Sequence, residues 1–369
     1  MNVPKLRFKE FNDEWIEERI NGLVEINPKN PSLPENFIYI DLESVSNGIL
    51  LQEKIINKNE APSRAQRQVK INDILYQTVR PYQKNNLFVD KLSNLPYIAS
   101  TGYAIMREKK VYPKFLFNKL HTDNFVNEVL DNCTGTSYPA INSNDLGNIK
   151  VYYPSNVKEQ ERIGDFLSLL DKKIELQTKK IEDLKLFKLC TAKIIFKDNS
   201  LLCKKQLKEL CNIVKGKQIN SEFLSETGEY YMLNGGINPS GFINEYNTNE
   251  NTISISEGGN SCGYVNFNKS KFWAGGHCYT ITPIDINNIY LYQILKYNEN
   301  KIMDLRVGSG LPNIQKKDLE NFSINVHRSN MQNKIATILS SIDKLIDLEE
   351  KKINNIEKLK KGLMQNMFV

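Results

Sequence analysis

The sequence predicts an α+β protein assembled from two half-copies, each a body of mixed strands and helices followed by one long helix. Three observations predict it: a helix-forming segment that occurs twice, an apolar stripe at coiled-coil spacing in both copies, and short β-branched and aromatic runs punctuated by turns elsewhere.

The repeated segment begins "QERIGDFLSLLDKKIELQTKKIEDLK" at 160 and "QNKIATILSSIDKLIDLEEKKINNIEK" at 332. A single offset of 172 holds without a gap from Gln160/Gln332 to Phe196/Phe368, with 13 of 37 pairs identical, at 160, 163, 167, 168, 171, 172, 174, 176, 179, 180, 181, 188 and 196. Two random helices of this Lys- and Leu-rich composition would share roughly a quarter as many. The likeness continues upstream across a one-residue gap near 155, where "GTSYPAINSNDLGNIKVYYP" (135–154) lies over "GSGLPNIQKKDLENFSINVH" (308–327). Pro139 pairs with Pro312, Ile141 with Ile314, and Asp145-Leu146 with Asp318-Leu319. Farther up only pattern survives, "RINGLVEINPK" (19–29) against "QLKELCNIVKG" (206–216). The helices are alike and the bodies have diverged, as in a duplicated architecture.

In the bodies, "INDILYQTVRPYQKNN" (71–86), "YIASTGYAIM" (97–106), "ENTISISEGGNSCGYVNF" (250–267) and "KFWAGGHCYTITP" (271–283) predict strands and tight turns. "YPKFLFNKLHTDNFVNEVL" (112–130) and "NIYLYQILKYNENKIMDL" (288–305) predict one helix in each body. In the long segments Leu167, Leu170, Ile174, Ile181 and Leu184 form one apolar stripe, and Leu339, Ile342, Ile346, Ile353 and Ile356 form its counterpart. Steps of three and four in so narrow a stripe suit a helix seam better than a globular core. Gln177 and Glu349 interrupt both stripes at the same place, either as polar seam residues that fix register or as residues at the seam's edge. Periodicity leaves open whether the two helices pair with each other or with another protein.

Composition excludes several function classes. The 369 residues, 40% of them hydrophobic, suffice for two or three domains, and a net charge of +6 permits a polyanionic partner without requiring one. Six cysteines (Cys133, Cys190, Cys203, Cys211, Cys262, Cys278) without a CxxC, and three histidines (His121, His277, His327), support neither a zinc site nor a disulfide framework. The opening "MNVPKLRFKEFNDEW" has no apolar h-region and no stretch is apolar enough to span a bilayer, so the expectation is a cytoplasmic protein with reduced thiols. A methyltransferase's glycine-rich cofactor loop and Asn/Asp-Pro-Pro-aromatic motif are absent, and "GKQIN" at 216 is only a lone Gly-Lys rather than a nucleotide-binding loop. His277 beside Cys278 is the one nucleophile-like pair, with no orienting acid identifiable, so no catalytic residue and no metal site are assigned.

The chain resembles the DNA-specificity subunit of type I restriction-modification systems. "PKLRFKEFNDEW" (4–15), the two Gly-Thr/Ser…Pro-x-Ile…Asp-Leu strings at 135–146 and 308–319, and the helices from 160 and 332 carry the resemblance in the family's order along nearly the whole chain. It implies a first target recognition domain (1–155), a central conserved helix (156–198), a second target recognition domain (199–327) and a C-terminal conserved helix (328–369), the helices forming an antiparallel coiled coil with pseudo-twofold symmetry. It further implies a bipartite, asymmetric DNA target with one half read by each body. Two copies of a methyltransferase subunit would dock on the helices, with restriction/translocase subunits beside them. No cofactor would belong to this chain; S-adenosylmethionine, Mg²⁺ and ATP would belong to the partners. A helix of 37 residues spans about 55 Å, longer than one B-DNA turn of about 34 Å.

Within that reading the chemistry of the side chains selects contact candidates. In "YQTVRPYQK" they are Tyr76, Gln77, Arg80, Tyr82, Gln83 and Lys84, whose amides and guanidinium suit adenine, guanine and phosphate. "STGY" and "TGTSY" add Thr101, Tyr103, Thr136 and Ser137; "EGGNS", "GGHCY" and "RVGSG" add Asn260, Ser261, His277, Tyr279, Arg306 and Ser309. Partner docking is expected on the seam residues. Pro139 and Pro312, shared by bodies that would read different bases, are expected to set backbone geometry. Two other functions compete: a coiled-coil scaffold linking two protein-binding modules, and an enzyme using His277 and Cys278.

Overall fold

The computed structural model describes residues 3–30, 32–46, 48–197, 202–308 and 310–369. The chain divides into two compact units, 1–177 with 352–369, and 178–351, so each long helix contributes to both.

The first unit runs β1 (Trp15–Arg19), α1 (Ile20–Leu23), β2 (Val24–Ile26), β3 (Asn36–Ile40), β4 (Val45–Ser46), β5 (Ile49–Leu50), β6 (Lys54–Asn57), β7 (Ala65–Val69), β8 (Ile74–Gln77), β9 (Leu87–Phe88), β10 (Tyr97–Ser100), β11 (Tyr103–Glu108), α2 (Pro113–Lys119), α3 (Asp123–Asp131), α4 (Ser143–Asn148), β12 (Lys150–Pro154) and the first half of α5 (Val157–Lys197). Its strands form an antiparallel sheet β2-β11-β8-β9, a mixed sheet β6-β3-β10-β7 with β3 and β10 parallel, a ribbon β1-β12, and the hairpin β4-β5. Strands β8 and β11 are covered on both faces, because residues alternate sides along a strand. Leu75, Tyr103 and Ile105 meet Ile38, Ile40 and Tyr97 of the mixed sheet. Ile74, Tyr76, Ala104 and Met106 turn the other way, onto Phe115, Phe125, Ile163 and Leu167.

The second unit runs β13 (Leu202–Gln206), α6 (Leu207–Leu210), β14 (Cys211–Lys215), β15 (Tyr230–Leu233), β16 (Gly241–Ile243), β17 (Thr252–Ser256), β18 (Val265–Asn268), β19 (Phe272–Ala274), β20 (Cys278–Pro283), α7 (Asn288–Tyr297), α8 (Glu299–Met303), α9 (Lys316–Asn321), β21 (Ser323–His327) and the start of α10 (Ser329–Met367). Its sheet β14-β20-β17-β18 matches β2-β11-β8-β9 strand for strand, its ribbon β13-β21 matches β1-β12, and β15-β19 repeats the parallel pair β3-β10. The duplication visible in the helices thus extends through the bodies, including the stretches where sequence likeness has faded.

The single helix expected in each body is in fact two. Thr122 ends the first by starting the next, its hydroxyl accepting from the Phe125 N–H, and Asn298 stands between α7 and α8. A side-chain acceptor at an N-cap competes with helix continuation, so "HTDN" breaks a run whose apolar spacing alone reads as continuous.

Identical pairs in the repeat do identical work. Gln160, buried in the first turn of α5, donates from Nε2 to the Pro154 carbonyl (2.7 Å) and accepts at Oε1 from the N–H of Tyr112, the N-cap of α2 (2.8 Å). Gln332 donates to the His327 carbonyl (2.9 Å) and accepts from the N–H of Asn287, the N-cap of α7 (3.2 Å). Phe368 packs on Phe115 of α2, and Phe196 on Tyr290 of α7. In the first unit Gly164 brings α5 against α2 so closely that a Cβ there would sit 2.7 Å from the Phe115 nitrogen.

The two long helices pair with each other, settling what periodicity left open. In the second unit Lys180 binds Glu349 (2.8 Å) and Lys188 binds Asp343 (2.7 Å); one number rises as the other falls, so the helices are antiparallel. In the first unit Lys360 binds Asp171. At the offset of 172, Asp171 corresponds to Asp343 and Lys188 to Lys360, so one ion pair has been made twice. Leu167, Ile181, Leu339, Ile342 and Ile346 are buried and Leu170, Ile174, Leu184, Ile353 and Ile356 half-buried, as a seam requires. Glu349 is buried and Gln177 half-buried with a water-inaccessible Nε2, so both lie in the seam, not at its edge.

His121, between α2 and α3, has a pH consequence. Its Nδ1 contacts the Phe117 carbonyl (2.7 Å) and its Nε2 the Asn86 amide (3.3 Å), an arrangement for the neutral ring. Burial pushes its pKa down to about 4, helped by Lys360 and Lys84 and opposed by the Phe117 carbonyl and Asp171. Since protonation is easier in the unfolded chain, the stability this ring contributes is present above the usual 6.5 and is lost as pH falls toward 4, a loss approaching about 3 kcal/mol at most. Urea unfolding of the first unit from pH 7 to 4 should show this slope and His121→Gln should flatten it; parallel slopes would refute the assignment.

Candidate nucleic-acid interface

In both units the loop after the third strand of the antiparallel sheet meets the arch that carries the shared proline. In the first, Ile141 N–H donates to the Thr78 carbonyl (3.0 Å), Arg80 N–H to the Pro139 carbonyl (2.7 Å), and Thr134 and Ala140 exchange two bonds. In the second, Ile314 N–H donates to the Glu257 carbonyl (2.8 Å), Gly259 N–H to the Pro312 carbonyl (3.0 Å), and Val307 and Asn313 exchange two bonds. Pro139 and Pro312 therefore anchor backbone, and the hydrogen bonds equate Thr78 with Glu257, Arg80 with Gly259, and Tyr138 with Leu311.

The first loop is held from within by Gln77. Its Nε2 donates to the Val79 carbonyl (2.8 Å) and Gln83 Oε1 (2.9 Å), and its Oε1 accepts from the Asn85 N–H (3.1 Å). Arg80 and Lys84, both at positive φ (53° and 54°), bracket the 3-10 turn Pro81–Gln83. Lys84 is tied to the His121 carbonyl (3.0 Å) and to Asp123 (2.8 Å). Arg80 has no carboxylate within ion-pair distance among the described residues, and its guanidinium lies 4.2 Å over the ring of Tyr138.

The second loop is built around Glu257. Its carboxylate receives Lys215 Nζ, the Tyr279 hydroxyl (3.1 Å) and His277 Nδ1 (3.1 Å). Burial alone would push this carboxyl up, but Lys215, Tyr279 and His277 together hold it below the usual carboxylate range. Glycines at 258 and 259 leave the turn bare, with Asn260 exposed and Ser261 half-buried beside it.

The expected contact residues divide accordingly. Arg80, Tyr82, Gln83, Thr136 and Ser137 gather at the surface of the first loop and arch, and Asn260, His277 and Arg306 are exposed in the second unit. Thr101 is half-buried in a turn, its N–H on the Arg64 carbonyl. Tyr76, Tyr103 and Tyr279 are buried to within 2% of full and Gln77 to 2%, so the expectation that these four touch a ligand is corrected: the tyrosines supply core area and Gln77 shapes the loop. Lys84 is engaged by Asp123, which removes it from the free cations. Ser309 lies outside the described residues. Tyr138 and Glu257 lie inside strings the sequence singles out but outside the contact residues it predicts; the residue-by-residue match of the proline strings points to Tyr138.

The buried seam residues Leu167, Ile181, Leu339, Ile342 and Ile346 are likewise closed to docking, and the half-buried ones are partly consumed within the chain. What the helices expose instead is a second apolar stripe: Leu169, Leu176, Phe187 and Ile194 on α5, and Ile338, Leu345, Leu348 and Leu359 on α10, each at least 48% exposed. His277 is exposed in the turn that precedes β20, and Cys278 is the first residue of that strand. Cys278 is buried, its thiol pushed up to about 12 by burial, so the pair is no nucleophile and base. Among the described residues no cluster of His, Cys, Asp and Glu could hold a metal, and no helix is long and apolar enough to cross a membrane.

Comparison with known proteins agrees with this layout. The family model described as the type I restriction modification DNA specificity domain matches twice, at residues 12–186 and 201–358. A putative type I specificity subunit of Mycoplasma pneumoniae is 36% identical over 48% of this chain and 48% of its own length. The HindI specificity subunit of Haemophilus influenzae is 32% identical over 39% of this chain and 32% of its own. Such matches span about half the length of these curated relatives or less. The crystal structure of a type I restriction-modification S subunit from M. genitalium superposes over 100% of this chain and 99% of its own with a TM-score of 0.70 at 20% identity, which establishes the shared fold. With a match over each body and the helix that follows it, the chain belongs to the type I restriction-modification DNA specificity family.

Proposed function

We propose that this chain is the sequence-reading subunit of a type I restriction-modification complex. Each body reads one half of a split, asymmetric double-stranded DNA target, and the duplicated helices present equivalent docking surfaces to two copies of a methyltransferase subunit. Restriction and translocation reside on further chains, and S-adenosylmethionine, Mg²⁺ and ATP are used by those partners. The observation that carries the reading is the pair of equivalent loops: identical backbone bonds to Pro139 and Pro312 display unlike residues, Arg80 with Tyr138 against Gly259 with Leu311. One backbone holding two different side-chain sets suits unlike half-sites, and identical helix residues suit identical partners. The scaffold reading explains the helices but not two DNA specificity matches, and the enzyme reading lacks its nucleophile.

Long-read methylation mapping of cells with and without this chain, its methyltransferase present in both, tests the proposal. A split motif that vanishes with the chain is expected; an unchanged methylome with expressed methyltransferase refutes it. Exchanging residues 30–150 for those of another family member should change one half of the motif only, and a change in both halves would end the modular reading.

A further inference from the structure

We propose that Arg80, seated on Tyr138, is the guanine reader of the first body, so that the half-site read by residues 1–155 contains a G·C pair contacted through this one guanidinium. The inference rests on the DNA-reading function above and adds to it a residue, a base and a positioning partner.

The duplication supplies an internal control. Arg80 and Gly259 stand at the same place, each donating its N–H to the carbonyl of the shared proline and each at positive φ, 53° for Arg80 and 75° for Gly259. Glycine enters that conformation freely, whereas an L-residue clashes with its own carbonyl there. The second body shows that the loop can be built with glycine. An arginine at this position is therefore explained by its side chain rather than by the backbone, as strained residues at binding sites are.

The side chain is prepared for such a role. The guanidinium lies 4.2 Å over the exposed ring of Tyr138, which restricts its rotamers and leaves the edge of the fork free. No carboxylate among the described residues neutralises it, in contrast to Lys84 on the same turn, which is bound to Asp123. Pro81 fixes the residue that follows, and the Gln77–Gln83 bond closes the turn. A planar two-donor fork presented edge-on from a rigid loop matches the O6 and N7 acceptors of guanine in the major groove, the commonest specific contact of arginine. In the second body Gly259 and Leu311 leave no cation at this place, so that body reads its half-site through other groups.

The test uses the full chain in complex with its methyltransferase and duplexes carrying the mapped target. Each guanine of the half-site assigned to the first body is replaced in turn by 7-deazaguanine, which lacks the N7 acceptor. At one position the replacement should weaken wild-type binding roughly 5- to 150-fold. Arg80→Gly should weaken binding to the intact duplex by a similar factor, become insensitive to that replacement, and leave the melting temperature no lower than wild type. Arg80→Lys should behave as Arg80→Gly on the intact duplex; Tyr138→Ala should give part of the loss and Tyr138→Phe none. The assignment is overturned by a half-site without guanine, by a melting temperature that falls with Arg80→Gly, or by an Arg80→Gly loss that is equal on target and scrambled duplexes. The last result would mark a phosphate contact. Wild-type complex with no preference for the mapped duplex would instead overturn the DNA-reading function beneath it, whereas a preference untouched by Arg80→Gly overturns this assignment alone.

Discussion

Replacing Leu176 and Leu348 together by arginine should abolish assembly with the methyltransferase partner while leaving the isolated chain's melting temperature within about 2 °C of wild type. Among the apolar pairs kept identical across the repeat, those at 163, 167, 174, 181 and 196 are buried or half-buried at both positions. Leu176 and Leu348 are the exception, 58% and 53% exposed. Identity at these two positions is not explained by the seam, and two equal external contacts explain it directly. Leu169, seven residues before Leu176 on α5, and Leu345, three residues before Leu348 on α10, each lie on the same helix face as the leucine that follows and widen its apolar surface beyond a single exposed residue.

A leucine at the centre of such a contact is worth about 2–4 kcal/mol, and burying an unpaired guanidinium in its place adds to the loss, so affinity should fall at least about 100-fold per site. On the free chain the same change is a surface substitution, within about 0.5 kcal/mol. Native mass spectrometry distinguishes the outcomes: single variants should retain one partner copy, the double variant none. Full stoichiometry in the double variant would remove the outward stripe from the interface and leave the docking surface elsewhere.

The parts of this molecule that could be read in advance were those where one residue serves one local rule. Helix length, seam spacing and the offset of 172 needed only periodicity, and the backbone role of Pro139 and Pro312 followed from their presence in both copies. The pairing of the helices was implied by the family resemblance but did not follow from periodicity, because a stripe records that something covers it and not what. Yet Asp171 and Lys188, identical to Asp343 and Lys360, are the two halves of the repeated ion pair, so charge identity across the repeat carried the answer. Site residues were less legible for a different reason. Tyr76 and Tyr103 sit on strands covered on both faces, where alternation no longer separates inside from outside, and a tyrosine's polar tip made both look like contacts. The equivalence of Arg80 with Gly259 depends on which carbonyl accepts which N–H, and no alignment of the two loops by residue type would have produced it.

Substituting Gln160 or Gln332 by alanine should destabilise the attachment of its body to its long helix by about 2–5 kcal/mol. Each glutamine links the first turn of a long helix to both the end of the last strand of the ribbon and the backbone N–H of a body helix's N-cap. Alanine there leaves a carbonyl (Pro154 or His327) and an N–H (Tyr112 or Asn287) without their partner. Each stranded buried group costs about 1–3 kcal/mol, because water lost on folding is not replaced. Glutamate would not rescue, since it keeps the acceptor but sets an oxygen against the strand carbonyl. The two sites share no hydrogen-bond partner, so their effects should add within about 0.5 kcal/mol. Amide exchange gives the direct reading: the Tyr112 N–H should exchange at least about 30-fold faster in Gln160→Ala and the Asn287 N–H correspondingly in Gln332→Ala, each leaving the other amide unchanged. Exchange that stays slow at both amides would show that packing of Phe368 on Phe115 and of Phe196 on Tyr290 holds the bodies to the helices, with the glutamines serving only to set register.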